Sequence, residues 1–240
     1  MTMGGGTTKG DGLQRIDPSV WVAPTAQLFG AIEIGAESSI WPNVVIRAEA
    51  HRVTIGRYTN LQDFVMVHIG YDHPTEIGDF CSITHHATVH GCRIEDDCLI
   101  GINAVVMDGA VIGRGSIVAG GAMVREDSVF APGSIIAGVP AKKIAERDSG
   151  RANRRNAWQY HWNARAYRRG DHRAWTGPDY EAFIREIAAK IDVGEGKIQD
   201  GELQARLRID EAPGLCGIGG LDDDRIRRNG PQRIADRRPN

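Results

Sequence analysis

An aliphatic side chain returns every six residues along most of this chain. From Val22 the series runs through Leu28, Ile34, Ile40 and Ile46, and after a longer connection it resumes at Ile55, Leu61 and Val67. A second connection leads to Ile77, Ile83 and Val89. One step of five then opens a long run: Ile94, Ile100, Val106, Ile112, Val118, Val124, Phe130 and Ile136. Helices repeat every 3.6 residues and half-buried strands every two, so this pattern is neither. With the aliphatic position called i, position i+1 is often glycine (Gly35, Gly56, Gly78, Gly101, Gly113). Position i+4 is often small (Ser38, Cys81, Ala87, Cys98, Ala104, Ala110). Such hexapeptides are the signature of a parallel β-helix, in which each repeat is one short strand and one turn. Three repeats make a triangular coil with i in the core, so the expected class is all-β.

The period of six vanishes after Gly138–Ile144. Beyond it, Arg151 to Gly170 predicts a helix with Trp158, Trp162 and Ala166 on one stripe. Asp179 to Ile191 predicts a second helix after the Gly177–Pro178 break. Solenoids need their ends or flanks covered, which makes both helices packing elements. The expected organisation is a flexible leader (1–14), a β-helix (15–145), a helical extension on the solenoid (146–193) and a disordered tail (194–240) rich in glycine and mixed charge.

Composition narrows the function. A formal charge of −2 over 240 residues gives no electrostatic reason to bind nucleic acid or an anionic membrane. No apolar run is long enough to span a bilayer, and the first residues carry no apolar signal core. The four cysteines form no CxxC, which points to a reducing, cytoplasmic compartment. Cys81 and Cys98 fall in small i+4 slots as packing thiols. Cys92, beside the histidines, reads as a packed thiol rather than a ligand. Cys216 has no evident role.

The repeat also determines which histidines meet. Three aliphatic steps bring the chain back to the same face one rung higher, about 4.8 Å away. Ile46, Val67 and Val89 are three steps apart, so Arg47, His68 and His90, all at i+1, form one outward column. His85 lies at i+2 after Ile83 and stacks above Asp63, at i+2 after Leu61, on the preceding face. Within one chain the two columns point apart. In a cyclic homotrimer of parallel solenoids, one face of each subunit meets the next face of its neighbour. His68 and His90 of one chain then meet His85 of another, giving three sites per trimer. Three imidazoles with an open fourth position suit catalytic zinc. Imidazole also suits iron or cobalt, so Zn2+ is the first expectation and Fe2+ or Co2+ the alternatives. Arg47 and Asp63 come together across the same interface, where a salt bridge would hold the trimer. His86, at i+3, faces elsewhere. His73 reads as an exposed loop residue, with a role as proton acceptor the alternative. No partner is evident for His51, His161 or His172.

The stretches RAEAHRVTIGRYTNLQD, VMVHIG, HPTEIGD, HHATVHGCRIEDDCLIG and AGVPA resemble the γ-class carbonic anhydrase family. The likeness covers roughly residues 13 to 147. It includes an Arg-x-acid step, Asn-x-Gln-Asp, a histidine six residues after the glutamine, and two histidines five apart before Gly-Cys. It implies a left-handed β-helix, a homotrimer, and reversible hydration of CO2 to bicarbonate by a metal-bound hydroxide at the interfaces. It further implies His68, His85 and His90 as ligands, with His85 donated across the interface, and Gln62 as the residue that orients water and substrate. Arg47 and Asp63 would be the inter-subunit pair, and Asn60 part of the pocket wall. Two departures stand out. Glu49 occupies a position where the family usually has aspartate, next to the pocket, where it and His73 are the nearby candidates for proton handling. The connection from His68 to Pro74 is short and lacks the acidic loop and glutamate shuttle of archaeal-type active members, which bears on turnover and not on metal binding.

Two other classes remain open from the sequence. A hexapeptide acyltransferase or thioesterase shares the fold and the GVPAK ending, needs no metal, and would bind acyl-CoA. A metal-holding structural trimer with little activity would bind metal without hydrating CO2.

Overall fold

The computed structural model describes residues 14–192; the expected tail and all but the last residue of the leader lie outside the described residues. Aliphatic positions from Ile16 to Ile136 stack in parallel register on three faces. Leu28, Ile46, Val67, Val89, Val106 and Val124 align on the first face. Ile16, Ile34, Ile55, Ile77, Ile94, Ile112 and Phe130 align on the second. Val22, Ile40, Leu61, Ile83, Ile100, Val118 and Ile136 align on the third. The strand Val45–Ile55 turns the corner between the first two faces. The hexapeptide solenoid is a left-handed β-helix with two helices after it.

The energetic reason for the six-residue period is burial. Ile40, Ile46, Leu61, Val67, Ile83, Val89, Ile100 and Val106 are all fully buried. Each such side chain contributes about 1.5–3 kcal/mol by leaving water. The corners need a left-handed residue, and Tyr58, Phe64, Phe80, His86, Asp97, Asn103 and Asp127 all have φ between 53° and 62°. None of these is β-branched, the class that tolerates positive φ least. Corner aromatics offset this strain by stacking on the next rung: Tyr58 on Phe80 at 5.0 Å and Phe64 on His86 at 4.8 Å. After Ser134–Gly138, the strand Ala141–Glu146 folds back antiparallel against it and ends the regular coil.

The third face is roofed by the helix α1 (Gly150–Arg168), which packs on the strands bearing Trp21, Ile40, Leu61 and Ile83. Trp41 meets Tyr160 and Tyr167 edge-on at 5.5 and 5.0 Å. Polar anchors fix the helix: Arg154 donates twice to Asp97 at 2.8 Å, and Asn153 donates to the carbonyls of Asp97 and Ser116. Burial pushes the Asp97 carboxyl up, against the pull of Arg154. The second helix, α2 (Pro178–Asp192), leans on α1 through Trp162 and Phe183, whose rings are 4.6 Å apart. Trp158 and Ala166 of the expected stripe are buried and Trp162 is only half-buried; Ala157, Tyr160, His161 and Ala164 complete the seated face of α1. Among the described residues, no helix is long and apolar enough to cross a membrane.

His161, for which the sequence offered no partner, is buried under this roof between the rings of Tyr58 and Trp158. Burial first, and then the charge of Arg165, push it down to about 3. The imidazole is therefore neutral, and its 3.5 Å approach to Glu37 is a polar contact and no ion pair. Its folded value lies below the unfolded one, so the unfolded chain takes up the proton first as pH falls. Stability is unaffected above about pH 6.5 and declines below it by up to about 1.4 kcal/mol per pH unit. We expect urea unfolding at pH 6.5 and 5.0 to show the wild type losing about 2 kcal/mol more than His161→Gln over that interval. Parallel losses in the two proteins would mean that His161 is protonated in the folded state.

Candidate metal centre

The column expected on the first face is present in the register. Arg47 pairs with His68, and His68 with His90, on consecutive strands. Their rings meet edge-on: Nδ1 of His68 is 3.0 Å from Nε2 of His90. Zinc–nitrogen bonds of ~2.0–2.1 Å in a tetrahedron place two ligand nitrogens about 3.3 Å apart, so this pair suits one small cation. Each ring also has a carboxylate on its far nitrogen. Nε2 of His68 lies 3.1 Å from Glu49, and Nδ1 of His90 meets Asp108.

Glu49 therefore touches a histidine of the pair, and it also accepts from Arg47 at 2.6 Å. Its slight burial raises the carboxyl, but its own backbone N–H, His68 and Arg47 outweigh that and hold it below the usual glutamate value. At neutral pH it is a carboxylate acceptor.

His85 and Asp63 sit together on the other side of the corner, where Nδ1 of His85 is 3.2 Å from the Asp63 carboxylate. The strands before them align Leu61 with Ile83, as the repeat count requires. Within one chain, Arg47 pairs with Glu49 and Asp63 with His85; Arg47 and Asp63 do not pair with each other. Among the described residues of a single chain, no three His, Cys, Asp or Glu side chains converge on one metal position. Two histidines meet on one face and the third stands on the next. Apolar side chains flank both groups: Phe29, in register with Arg47, is 42% exposed, and Ile102, after the strand next to the His85 rung, is 51% exposed.

Gln62 and Asn60 lie between the solenoid and α1, both buried. Gln62 donates to Asn60 at 3.0 Å, Asn60 to Ser82 at 2.9 Å, and Ser82 to Asn156 of α1 at 2.8 Å. The helix thus tethers the amide ladder beside the Asp63–His85 corner. It also walls a groove of about 410 Å³ whose lining includes Asp63, His85, Trp41, Tyr160, Asn163, Arg173 and Trp175. Burial, helped by the nearby Asp63 charge, pushes the Tyr160 phenol up to about 12, so it stays protonated.

The remaining candidates separate. His86 is a corner residue stacked on Phe64. His73 is exposed and its carbonyl accepts from the N–H of Gly70. His51 bonds the carbonyl of Tyr71, and His172 packs on Tyr167. Cys92 is buried and its thiol is pushed up to about 12, chiefly by burial, so it is a neutral packing thiol. The residue that sequence reasoning missed is Asp108. It follows Val106 by two, one rung above His90; the column count carried one coil further stops at Met107, its neighbour, and so passes Asp108 by.

Comparison with known proteins follows the same outline. Residues 91–126 match the model for the bacterial transferase hexapeptide (six repeats). A protein of Methanocaldococcus jannaschii named probable carbonic anhydrase is 50% identical over 131 residues, 55% of this chain and 82% of the relative. This chain belongs to the γ-class carbonic anhydrase family. A γ-class relative from Arabidopsis thaliana, gamma carbonic anhydrase 2, mitochondrial, is 39% identical over 100 residues, covering 39% of this chain and only 36% of its own length. Among solved structures, a hexapeptide transferase family protein from Anaplasma phagocytophilum superposes with a TM-score of 0.61 at 30% identity, covering 64% of this chain and 92% of that one.

Proposed function

We propose that this γ-class family member is a carbonic anhydrase, hydrating CO2 reversibly to bicarbonate at metal centres shared between subunits of a homotrimer. The observation that carries the reading is the split of the histidines: His68 and His90 in register on one face, His85 on the next. A cyclic trimer joins those faces, and the exposed Phe29 and Ile102 beside them are suited to burial there. The donor set, three imidazoles, fits Zn2+, with Fe2+ or Co2+ as chemically acceptable substitutes.

A zinc ion held there would lower the pKa of water to about 7, a value established for carbonic anhydrase, and so provide a nucleophile for CO2 at neutral pH. The protein's own groups do the rest. Gln62, expected from the resemblance to orient water and substrate, is buried here with its amide nitrogen given to Asn60, so its part is to brace the Asp63–His85 corner from behind. Asn60 sets the buried amide ladder behind that corner and does not line the groove itself. Arg47 and Asp63 approach across the interface and hold the two faces in register. Glu49, already a carboxylate beside His68, accepts the proton that hydration releases and passes it to solvent.

A second reading has support of its own. The groove beside His85 has the volume of a small-molecule site, larger than CO2 requires, and a solved relative is named a hexapeptide transferase family protein. Acyl transfer would require CoA binding; titration calorimetry with CoA that gives no heat removes this reading.

Two predictions follow from the shared site. In stopped-flow CO2 hydration, activity is expected to scale with bound zinc and to vanish in both His85→Ala and His68→Ala. When the two inactive variants are unfolded and refolded together in equal amounts, random trimers regain one intact site in each mixed trimer, about a quarter of wild-type activity. Failure to recover any activity from correctly assembled mixed trimers would place all three histidines' roles within single chains. Glu49→Gln is expected to keep its zinc but slow turnover, with partial recovery at high buffer concentration. Equal rates in wild type and variant at every buffer concentration would remove Glu49 from proton transfer. Zinc bound without any hydration would leave a structural trimer.

A further inference from the structure

Asp108 belongs to no part of the reading above, yet it touches His90 on the nitrogen that faces away from His68. We propose that Asp108 is the positioning residue of the metal centre: it holds the proton of His90 on Nδ1 and thereby keeps Nε2 unprotonated and aimed at His68. The inference rests on the metal-centre reading of His68, His85 and His90.

Three observations carry it. The hydrogen bond itself comes first. An imidazole has one proton to give when neutral, and the group that accepts it determines which nitrogen remains a ligand. A carboxylate on Nδ1 leaves Nε2, the atom that stands 3.0 Å from the His68 ring.

The second is the room made for the carboxylate. Asp108 is one rung above His90 and its side chain must reach back toward that rung. It does so over two glycines. A Cβ on Gly91 would lie 2.4 Å from Oδ1 of Asp108, and one on Gly70 would lie 2.9–3.0 Å from all three carboxyl atoms. Any other residue at either position would displace the carboxylate from His90. Gly91 also turns the chain at φ +53°, so its identity has a backbone reason as well. Gly70 has no such positive φ, and the three atoms nearest to a side chain there all belong to the Asp108 carboxyl.

The third is the parallel arrangement at the other two histidines. Glu49 stands on His68 and Asp63 on His85, both on ring nitrogens. Asp108 completes a set in which every proposed ligand has its own carboxylate, and its side chain is the least exposed of the three at 30%.

The test uses the full-length protein, with zinc affinity measured by competition against a chromophoric chelator. Asp108→Ala and Asp108→Asn are expected to bind zinc 10–100-fold more weakly than wild type, with unchanged circular dichroism. Gly70→Ala is expected to weaken zinc binding too, because its methyl group must push the Asp108 carboxylate aside. In zinc-free protein, 15N NMR of the imidazoles is expected to find the His90 proton on Nδ1 in wild type and to find that preference lost in Asp108→Ala. Wild type that takes up no zinc overturns the metal-centre reading itself. Zinc affinity in Asp108→Ala equal to wild type, or a wild-type His90 protonated on Nε2, overturns the role of Asp108 and leaves the metal centre standing.

Discussion

The in-register stacking of one hexapeptide on the residue a full coil earlier is the interaction on which this structure depends. Every rung offers its backbone N–H and C=O groups to the rungs above and below, and every third hexapeptide returns an aliphatic side chain to the same interior column. Hydrogen bonding and burial therefore impose the same register. A slip of one residue would turn Ile83 or Val89 outward and bring polar side chains into a core that holds none of water's hydrogen bonds. Because register is fixed this firmly, an outward side chain is fixed with it. The 3.0 Å approach of His68 to His90 is a by-product of Val67 stacking under Val89.

The long connections serve the same end. Between Ile46 and Ile55, and between Val67 and Ile77, the chain departs from the six-residue step and then resumes on the correct face. The first departure carries Glu49 out of the ladder and toward His68. The second contains Gly70, which leaves space for Asp108. The site is thus assembled from a regular scaffold at the places where the regularity is interrupted.

The helical roof has a larger part than end protection. Asn156 closes a chain of buried amides and hydroxyls running through Ser82 and Asn60 to Gln62. Arg154 and Asn153 fix that helix to the Asp97 corner, so the position of Gln62 depends on a helix some ninety residues later in the chain. The same helix supplies Tyr160 and Asn163 to the groove beside His85. A neutral, buried His161 between Tyr58 and Trp158 makes the seat of this helix sensitive to acid.

The sequence by itself determined the coil, its three faces, the two histidine columns and the extents of both helices within a residue or two. These follow from strict periods, six for the solenoid and 3.6 for the helices, and a period converts directly into geometry. The sequence did not disclose Asp108, the partner of His161, or the burial of Gln62 under α1. Each of these depends on where a side chain leans between rungs or on which solenoid face the helix covers, and neither is periodic. The reach of Asp108 to His90 needed two glycines from separate turns to lie under one carboxylate. Only the folded chain brings Gly70, Gly91 and Asp108 together, because residues 38 apart become neighbours through the rise of the coil.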